Sequence, residues 1–373
     1  METKHKILLS PSHFSGEEKK YLDNAFQRNE ISSFGRNLIG FEKDICNYIS
    51  IKGCAALSSG TAAIHLALIM LDIEQGDEVL CTSFTYSATV NPIRYQKANP
   101  IFVDSENDTW NMSPELLEEA IKDRISKGKR PKAIILVHLY GMPSKMNEIM
   151  AISDEYDIPI IEDAAEAIGA TYQDKAMGTF GEIGIFSFNG NKIITTSGGG
   201  ALVSDNLEYC KKAIFLATQA RDDAPHYQHS EIGYNYRMSN IVAGIGRGQM
   251  EVLDDRVEAR RKNFDFYKKE LAGINEISFV EEPKGFYTNR WITTLLTNSF
   301  ESREKIRMAL EMDNIESRPL WKPMHLQPVF QAYPAYTDGT SEDLFDRGLC
   351  LPSGSNLSLE DLNRVVSIIK ELY

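Results

Sequence analysis

From about residue 54 onward, short apolar runs alternate with amphipathic stretches. The runs at 78–82, 100–104, 132–138, 158–163, 184–188 and 200–204 are rich in Ile and Val and bounded by turn residues. That is the signature of strands buried on both faces. Between them the spacing predicts helices over 61–71, 113–127 and 144–156. Strands alternating with helices imply an α/β fold, a mostly parallel sheet covered on both faces. Residues 15–50 read as polar and helical, interrupted by a loop at Ser32-Ser33-Phe34-Gly35. Further helices are expected at 205–220, 242–253, 256–271, 302–313 and 358–372, with a shorter apolar run at 291–296.

At 373 residues the chain exceeds what one minimal core needs. The pattern divides it into a large domain, 1–250, and a smaller C-terminal α+β domain, 251–373. Segment 1–35 is expected to pack near the functional site. The net charge of −13 argues against general nucleic-acid binding, which wants a basic face. Five scattered cysteines without a Cys-x-x-Cys suggest neither a disulfide framework nor a zinc site. His226 and His229 have no convincing third ligand, so no metal is assigned. No run is long enough to span a bilayer and no signal-peptide core opens the chain, so a cytoplasmic protein is expected, with no membrane partner.

In open parallel sheets, ligands sit outside the carboxyl ends of the strands. Asp163 ends the run Ile-Pro-Ile-Ile-Glu-Asp, and Lys192 follows the run that ends in Ser187-Phe188. An aspartate ending one strand and a lysine following a later one are the two groups that pyridoxal phosphate (PLP) needs. One holds a proton on the pyridine nitrogen and the other forms the Schiff base. Most lysines are solvated surface charges, but Lys192 stands between Phe186–Phe188 and Ile193–Ile194, which weakens that reading. Asp163, drawn inward by Ile160 and Ile161, needs a partner. A protonated pyridine nitrogen is one; a cap on a following helix is the alternative. Glu166, one helical turn on, faces either the same pocket or solvent.

Other motifs are weaker singly. Ser58-Ser59-Gly60-Thr61 runs into a helix whose first N–H groups suit a phosphate, or simply forms a capped helix start. Tyr86 lies beyond a strand end, where its face could stack on a pyridine ring or pack in a loop. Ser187 can donate its hydroxyl to a phosphate. Gly198-Gly199-Gly200 would let the chain fold back closely, or make a flexible turn. Asn235 and Arg237 suit a phosphate, or serve as capping and surface residues. Trp321-Lys322-Pro323-Met324-His325 is a proline-bounded loop that could close over a sugar or nucleotide.

Taken together, in this order and across nearly the whole chain, these motifs resemble the DegT/StrS group of PLP-dependent nucleotide-sugar aminotransferases of fold type I. The resemblance implies a large domain with a mostly parallel, seven-stranded sheet. It implies that Lys192 carries the cofactor and moves the proton, and that Asp163 pairs with the ring nitrogen. Tyr86 would stack on the ring where many relatives have Trp or Phe. Gly60, Thr61 and Ser187 would hold the phosphate. Glu166 would sit by the cofactor at a position that is often His or Gln in the family. Asn235 would reach the phosphate of the neighbouring subunit's cofactor, making the active unit a homodimer. His325, Arg237 and Lys322 are the substrate-side candidates.

The same resemblance implies transfer of an amino group from L-glutamate to the C4 keto group of a nucleotide-linked 4-keto-6-deoxy sugar, for a cell-surface glycan or polysaccharide. The motifs look most like the branch using UDP-2-acetamido-2,6-dideoxy-4-ketohexose. GDP-4-keto-6-deoxymannose and dTDP-4-keto-6-deoxyglucose are the runners-up. A related branch of sugar dehydratases carries His where this chain has Lys192, which disfavours dehydration. A PLP-binding regulator is disfavoured by the intact Lys192, Asp163, Ser187 and Asn235.

Overall fold

The computed structural model describes residues 4–373. Its centre is an eight-stranded sheet in the order Gly53–Leu57, Gly200–Ser204, Ile183–Ser187, Ile160–Asp163, Ala133–Val137, Glu78–Thr82, Asn99–Val103 and Ala335–Tyr336. All neighbours are parallel except Gly200–Ser204, which runs antiparallel to both of its own. The last strand is a two-residue edge contributed from late in the chain.

Alternation along each strand divides the core. Ile134, Leu136 and Ile160 enter one apolar cluster, whereas Ile135 and Ile161 enter the cluster on the opposite face. Gly60–Met70 and Leu207–Ala217 cover one face, and Arg36–Ile49, Pro114–Ser126 and Met146–Tyr156 cover the other. This is why the strands read as continuous apolar runs. A second, antiparallel sheet joins Ser278–Phe279, Thr293–Leu296, Gly348–Leu351 and Arg318–Pro319. Its apolar cluster includes Leu295, Leu349, Val365 and, from the other end of the chain, Ile7.

Several elements escaped the pattern, among them Thr340–Arg347 and Gly348–Leu351 late in the chain and two beside the cavity. Gly53–Leu57 is Gly-Cys-Ala-Ala-Leu, poor in strand-formers; its ladder to Gly200–Ser204 holds it extended. Ser87–Tyr95 is a helix although Pro92 lies inside it. A further expectation is corrected: no helix follows Asp163. The chain turns instead, with Ala167 N–H donating to Ala164 O, and Glu166 sits in that turn. Asp163 therefore caps a turn, accepting from Ala165 N–H at 3.2 Å.

No helix among the described residues is long and apolar enough to cross a membrane.

Candidate active site

A cavity of about 730 Å³ opens at the carboxyl ends of the parallel strands. Asp163, Glu166, Ser187 and Lys192 line it, with Gly60, Thr61 and Tyr86. Sequence expectation and structure therefore meet at one place for seven residues.

Two buried carboxylates form the floor. Asp163 is 5% exposed and accepts a 2.7 Å hydrogen bond from Thr89 Oγ1. Burial raises its pKa, while the Thr89 bond and the charge of Lys192 pull the other way. Glu166 is equally buried, and burial pushes its pKa up to about 7 against the opposing pull of Lys192 and the Tyr140 N–H. Its Oε1 accepts from Lys192 Nζ at 3.2 Å and its Oε2 from Tyr140 N–H at 2.7 Å. Lys192 Nζ also lies 4.2 Å from the ring centre of Trp291, a cation–π contact. The indole is itself fixed by donating to Asn191 O at 2.8 Å.

One side of the cavity is built for an anion. Ser59 caps the helix Gly60–Met70 by accepting from Ala62 N–H. The N–H groups of Gly60 and Thr61 find no acceptor among the described residues, as expected at a helix start. The Ser187 hydroxyl stands beside them, equally unpaired among the described residues. A Cβ on Gly60 would come 3.2 Å from the Ser187 Cβ, and one on Gly200 would come 2.4 Å from Gly60 N. Gly200, the last of the glycine triplet, thus lets two backbones abut behind the helix start.

The rim is aromatic. Tyr86, 60% exposed, packs against Trp321 with ring centres 5.6 Å apart. Trp321 in turn meets Tyr140 at 5.3 Å and Trp291 at 6.4 Å. Leu9 and Ser10 from the N-terminal segment join the lining, as do Glu316, Arg318 and Cys350.

Four candidates lie outside this lining. Arg237 is bound by Glu42, at 2.5 Å, and by Ala56 O. Asn235 is exposed and bridges through its backbone to Thr218. Lys322 is exposed. His325 is held between Ser83 Oγ, at 2.6 Å, and Glu342, at 3.1 Å.

The sequence reading missed Thr89, Trp291, Glu316 and Arg318. Thr89 was hidden because its helix contains a proline. The other three reach the cavity only through the tertiary fold.

Residues 13–370 match the model of the DegT/DnrJ/EryC1/StrS aminotransferase family. A Bacillus subtilis (strain 168) protein with the provisional name pyridoxal phosphate-dependent aminotransferase EpsN is 52% identical over 99% of this chain and 96% of its own. GDP-perosamine synthase of Escherichia coli O157:H7 is 38% identical over 99% of each. Among solved structures, a DegT DnrJ EryC1 StrS aminotransferase from Brucella abortus superposes with a TM-score of 0.90 at 28% identity, covering 96% of this chain and 95% of that one.

The residues present fit PLP. A buried carboxylate lacking a full counter-charge awaits a cationic ring nitrogen, a lysine amine stands in the same cavity, and unpaired N–H and hydroxyl donors cluster where a phosphate would sit.

Proposed function

Because the chain belongs to the DegT/DnrJ/EryC1/StrS aminotransferase family and is a PLP-dependent sugar aminotransferase, we propose that it moves an amino group from L-glutamate to the C4 keto group of a nucleotide-linked 4-keto-6-deoxy sugar. The observation that carries this reading is the shared cavity. Lys192 Nζ and the buried carboxylates of Asp163 and Glu166 lie at its floor, beneath an aromatic rim.

When bound, PLP supplies an electron sink for the carbon that gains or loses a proton. Asp163 holds the proton on the ring nitrogen, its own carboxylate oriented by Thr89 and the Ala165 N–H. Lys192 Nζ would anchor the cofactor and then carry a proton to or from the substrate carbon. Glu166 and the Trp291 face hold that amine in place. Gly60, Thr61 and Ser187 would hold the phosphate, and Tyr86 would supply an aromatic face to the ring. Trp291 and Trp321 exclude water from the floor.

For the sugar, we favour UDP-2-acetamido-2,6-dideoxy-4-ketohexose, which the Ser-Phe-Asn-Gly-Asn-Lys and Trp-Lys-Pro-Met-His-Leu-Gln motifs support, and place the product in a cell-surface glycan or polysaccharide. A GDP-linked 4-keto-6-deoxymannose is the second reading, favoured by the 38% identity to a GDP-perosamine synthase. The active unit we propose is a homodimer. Phe26, Ile31, Phe34 and Ile39 stand exposed within one short stretch of chain, an apolar surface suited to a second copy. Asn235, exposed and clear of its own cavity, would then face the neighbouring cofactor. We place the enzyme in the cytoplasm, where nucleotide sugars are made.

The test is an absorbance spectrum of the purified holoenzyme before and after L-glutamate, then after each keto sugar. A shift with glutamate that reverses with the UDP-linked sugar supports the first reading. Reversal only with the GDP-linked sugar replaces it with the second. No shift with glutamate rejects the donor.

A further inference from the structure

We propose that Arg318 is the residue that grips the carboxylate of the amino donor, and that Glu316 parks it until that carboxylate arrives. The inference rests on the reading that an amino acid supplies the nitrogen, and it names the group that selects it.

The charges facing the cavity set the requirement. Its lining holds three carboxylates, Asp163, Glu166 and Glu316, and two cations, Lys192 and Arg318. Lys192 is at the floor, held by Glu166 and the Trp291 face, and is committed to the reaction. An amino-acid donor brings carboxylate charge into a cavity already rich in it. Without a free cation that entry is unfavourable. Arg318 is the cation this chain leaves available.

Its setting suits the task. The backbone of Arg318 is fixed, paired in register with Cys350, another lining residue. Its side chain is 69% exposed and, among the described residues, hydrogen-bonded only to Glu316. Nε and Nη2 both donate to a single oxygen of Glu316, Oε1, at 3.1 and 2.9 Å. Nη1 donates to nothing among the described residues. The guanidinium fork, which can grip both oxygens of a carboxylate, is thus only half used.

Glu316 does not depend on Arg318. Its other oxygen, Oε2, accepts from Leu9 N–H at 3.1 Å. When Arg318 turns to an incoming carboxylate, Glu316 keeps that bond and its access to water. The pair is solvent-exposed on the arginine side, and such pairs exchange at little cost. Glu316 occupies the guanidinium as a substrate carboxylate would, so the empty site does not leave the cation to bind inorganic anions indiscriminately.

The experiment is the single-turnover reaction of the holoenzyme with L-glutamate, followed by absorbance, together with calorimetric titration by glutarate. Glutarate is a dicarboxylate of the same length without the reacting amine. Arg318→Gln should raise the half-saturating glutamate concentration by roughly 30-fold, as expected for a lost charged hydrogen-bond pair. It should weaken glutarate by a similar factor and leave the limiting rate within about threefold. Arg318→Lys should recover only part, because an ammonium lacks the fork. Glu316→Gln should tighten glutarate by releasing the guanidinium.

Unchanged glutamate and glutarate affinities in Arg318→Gln overturn the proposal. So does weakening confined to UDP or GDP, which would reassign the arginine to the diphosphate. If the unaltered enzyme reacts with neither L-glutamate, L-aspartate nor L-alanine, the donor reading itself fails, and the proposal with it. If the unaltered enzyme reacts with L-glutamate and Arg318→Gln binds it and glutarate as tightly, the proposal alone fails.

Discussion

Asp163 and Arg318 face the same cavity, but the first is 5% exposed and the second stands mostly in solvent. Around Asp163 every contact is close and internal: Thr89, the Ala165 N–H, the charge of Lys192. Around Arg318 there is one carboxylate and water. The floor sits at the ends of buried parallel strands, where a charge is costly unless something compensates it. The rim is assembled from loops and an edge strand, where a charge is cheap and a side chain can move. The floor should therefore govern how fast bound substrate reacts, and the rim how much substrate is needed.

The sharpest way to break that contrast is at Asp163. Asp163→Asn keeps the shape and the Thr89 contact but loses the negative charge. The limiting rate should fall by roughly 10³-fold, the order expected for losing a preorganised charge at a reacting centre. Half-saturating concentrations should move little, and the circular dichroism spectrum should be unchanged. A rate within tenfold of the unaltered enzyme removes Asp163 from the chemistry.

How much of this was legible before the fold was known follows the same line. Asp163 and Lys192 announce themselves locally, each at the end of a short apolar run whose direction and depth follow from its own residues. Glu166 was legible as a neighbour but not in its setting, because the turn after Asp163 reads like a helix start. Ala-Ala-Glu-Ala favours helix, whereas Gly169 at φ 84° and the packing of Asn289 onto Glu166 O and Ile168 O hold a turn. Trp291 and Arg318 were out of reach as site residues. Each sits about 100 residues or more beyond Lys192; pairing in the second sheet brings Arg318 to the cavity, and the indole bond to Asn191 O fixes Trp291 there. Arg237 shows the converse. Its sequence neighbourhood suits a phosphate, but Glu42, far away in the chain, takes it at 2.5 Å.

The next effect is on stability, and it tests burial at the floor directly. Glu166 has a folded-state pKa of about 7, above the usual 4.5, with burial as the largest cause. Between those values the unfolded chain has lost the proton and the folded protein has kept it. Stability from this group is thus fully present below pH 4.5 and is lost as pH rises towards 7. The loss amounts to about 3 kcal/mol at most. Glu166→Gln does not titrate. In cofactor-free protein its urea midpoint, relative to that of the unaltered chain, should therefore be higher at pH 8 than at pH 5. A difference that does not change with pH would mean that Lys192 neutralises Glu166 fully and that burial is not the governing term.

At the rim the effects should shrink and change kind. Tyr86→Leu removes an exposed aromatic face that touches Trp321. The apparent dissociation constant for PLP should rise about fivefold, the scale of one aromatic stacking contact. The limiting rate of fully loaded enzyme should hardly move. A large fall in rate at saturating PLP would show that the rim participates in the chemistry and would erase the distinction between the two regions.

His325 gives the smallest effect and the finest discrimination. By resemblance it stands near the substrate. In the fold, Nδ1 lies 2.6 Å from Ser83 Oγ and Nε2 lies 3.1 Å from Glu342. The neighbouring Met324 N–H donates to Ser83 O at 2.7 Å. With both ring nitrogens engaged, the imidazole acts as a latch that pins the loop carrying Trp321 to the end of the strand Glu78–Thr82. A latch of this kind is worth about one hydrogen bond. His325→Ala should therefore raise the half-saturating keto-sugar concentration by about threefold through a looser Trp321, and lower the thermal midpoint slightly. His325→Gln, which can still bridge Ser83 and Glu342, should restore both together. A side chain that instead touches the sugar would give a rise above tenfold that glutamine does not repair, with no change in the thermal midpoint. Measuring affinity and thermal midpoint on the same two variants separates the latch from the contact, because only the latch couples them.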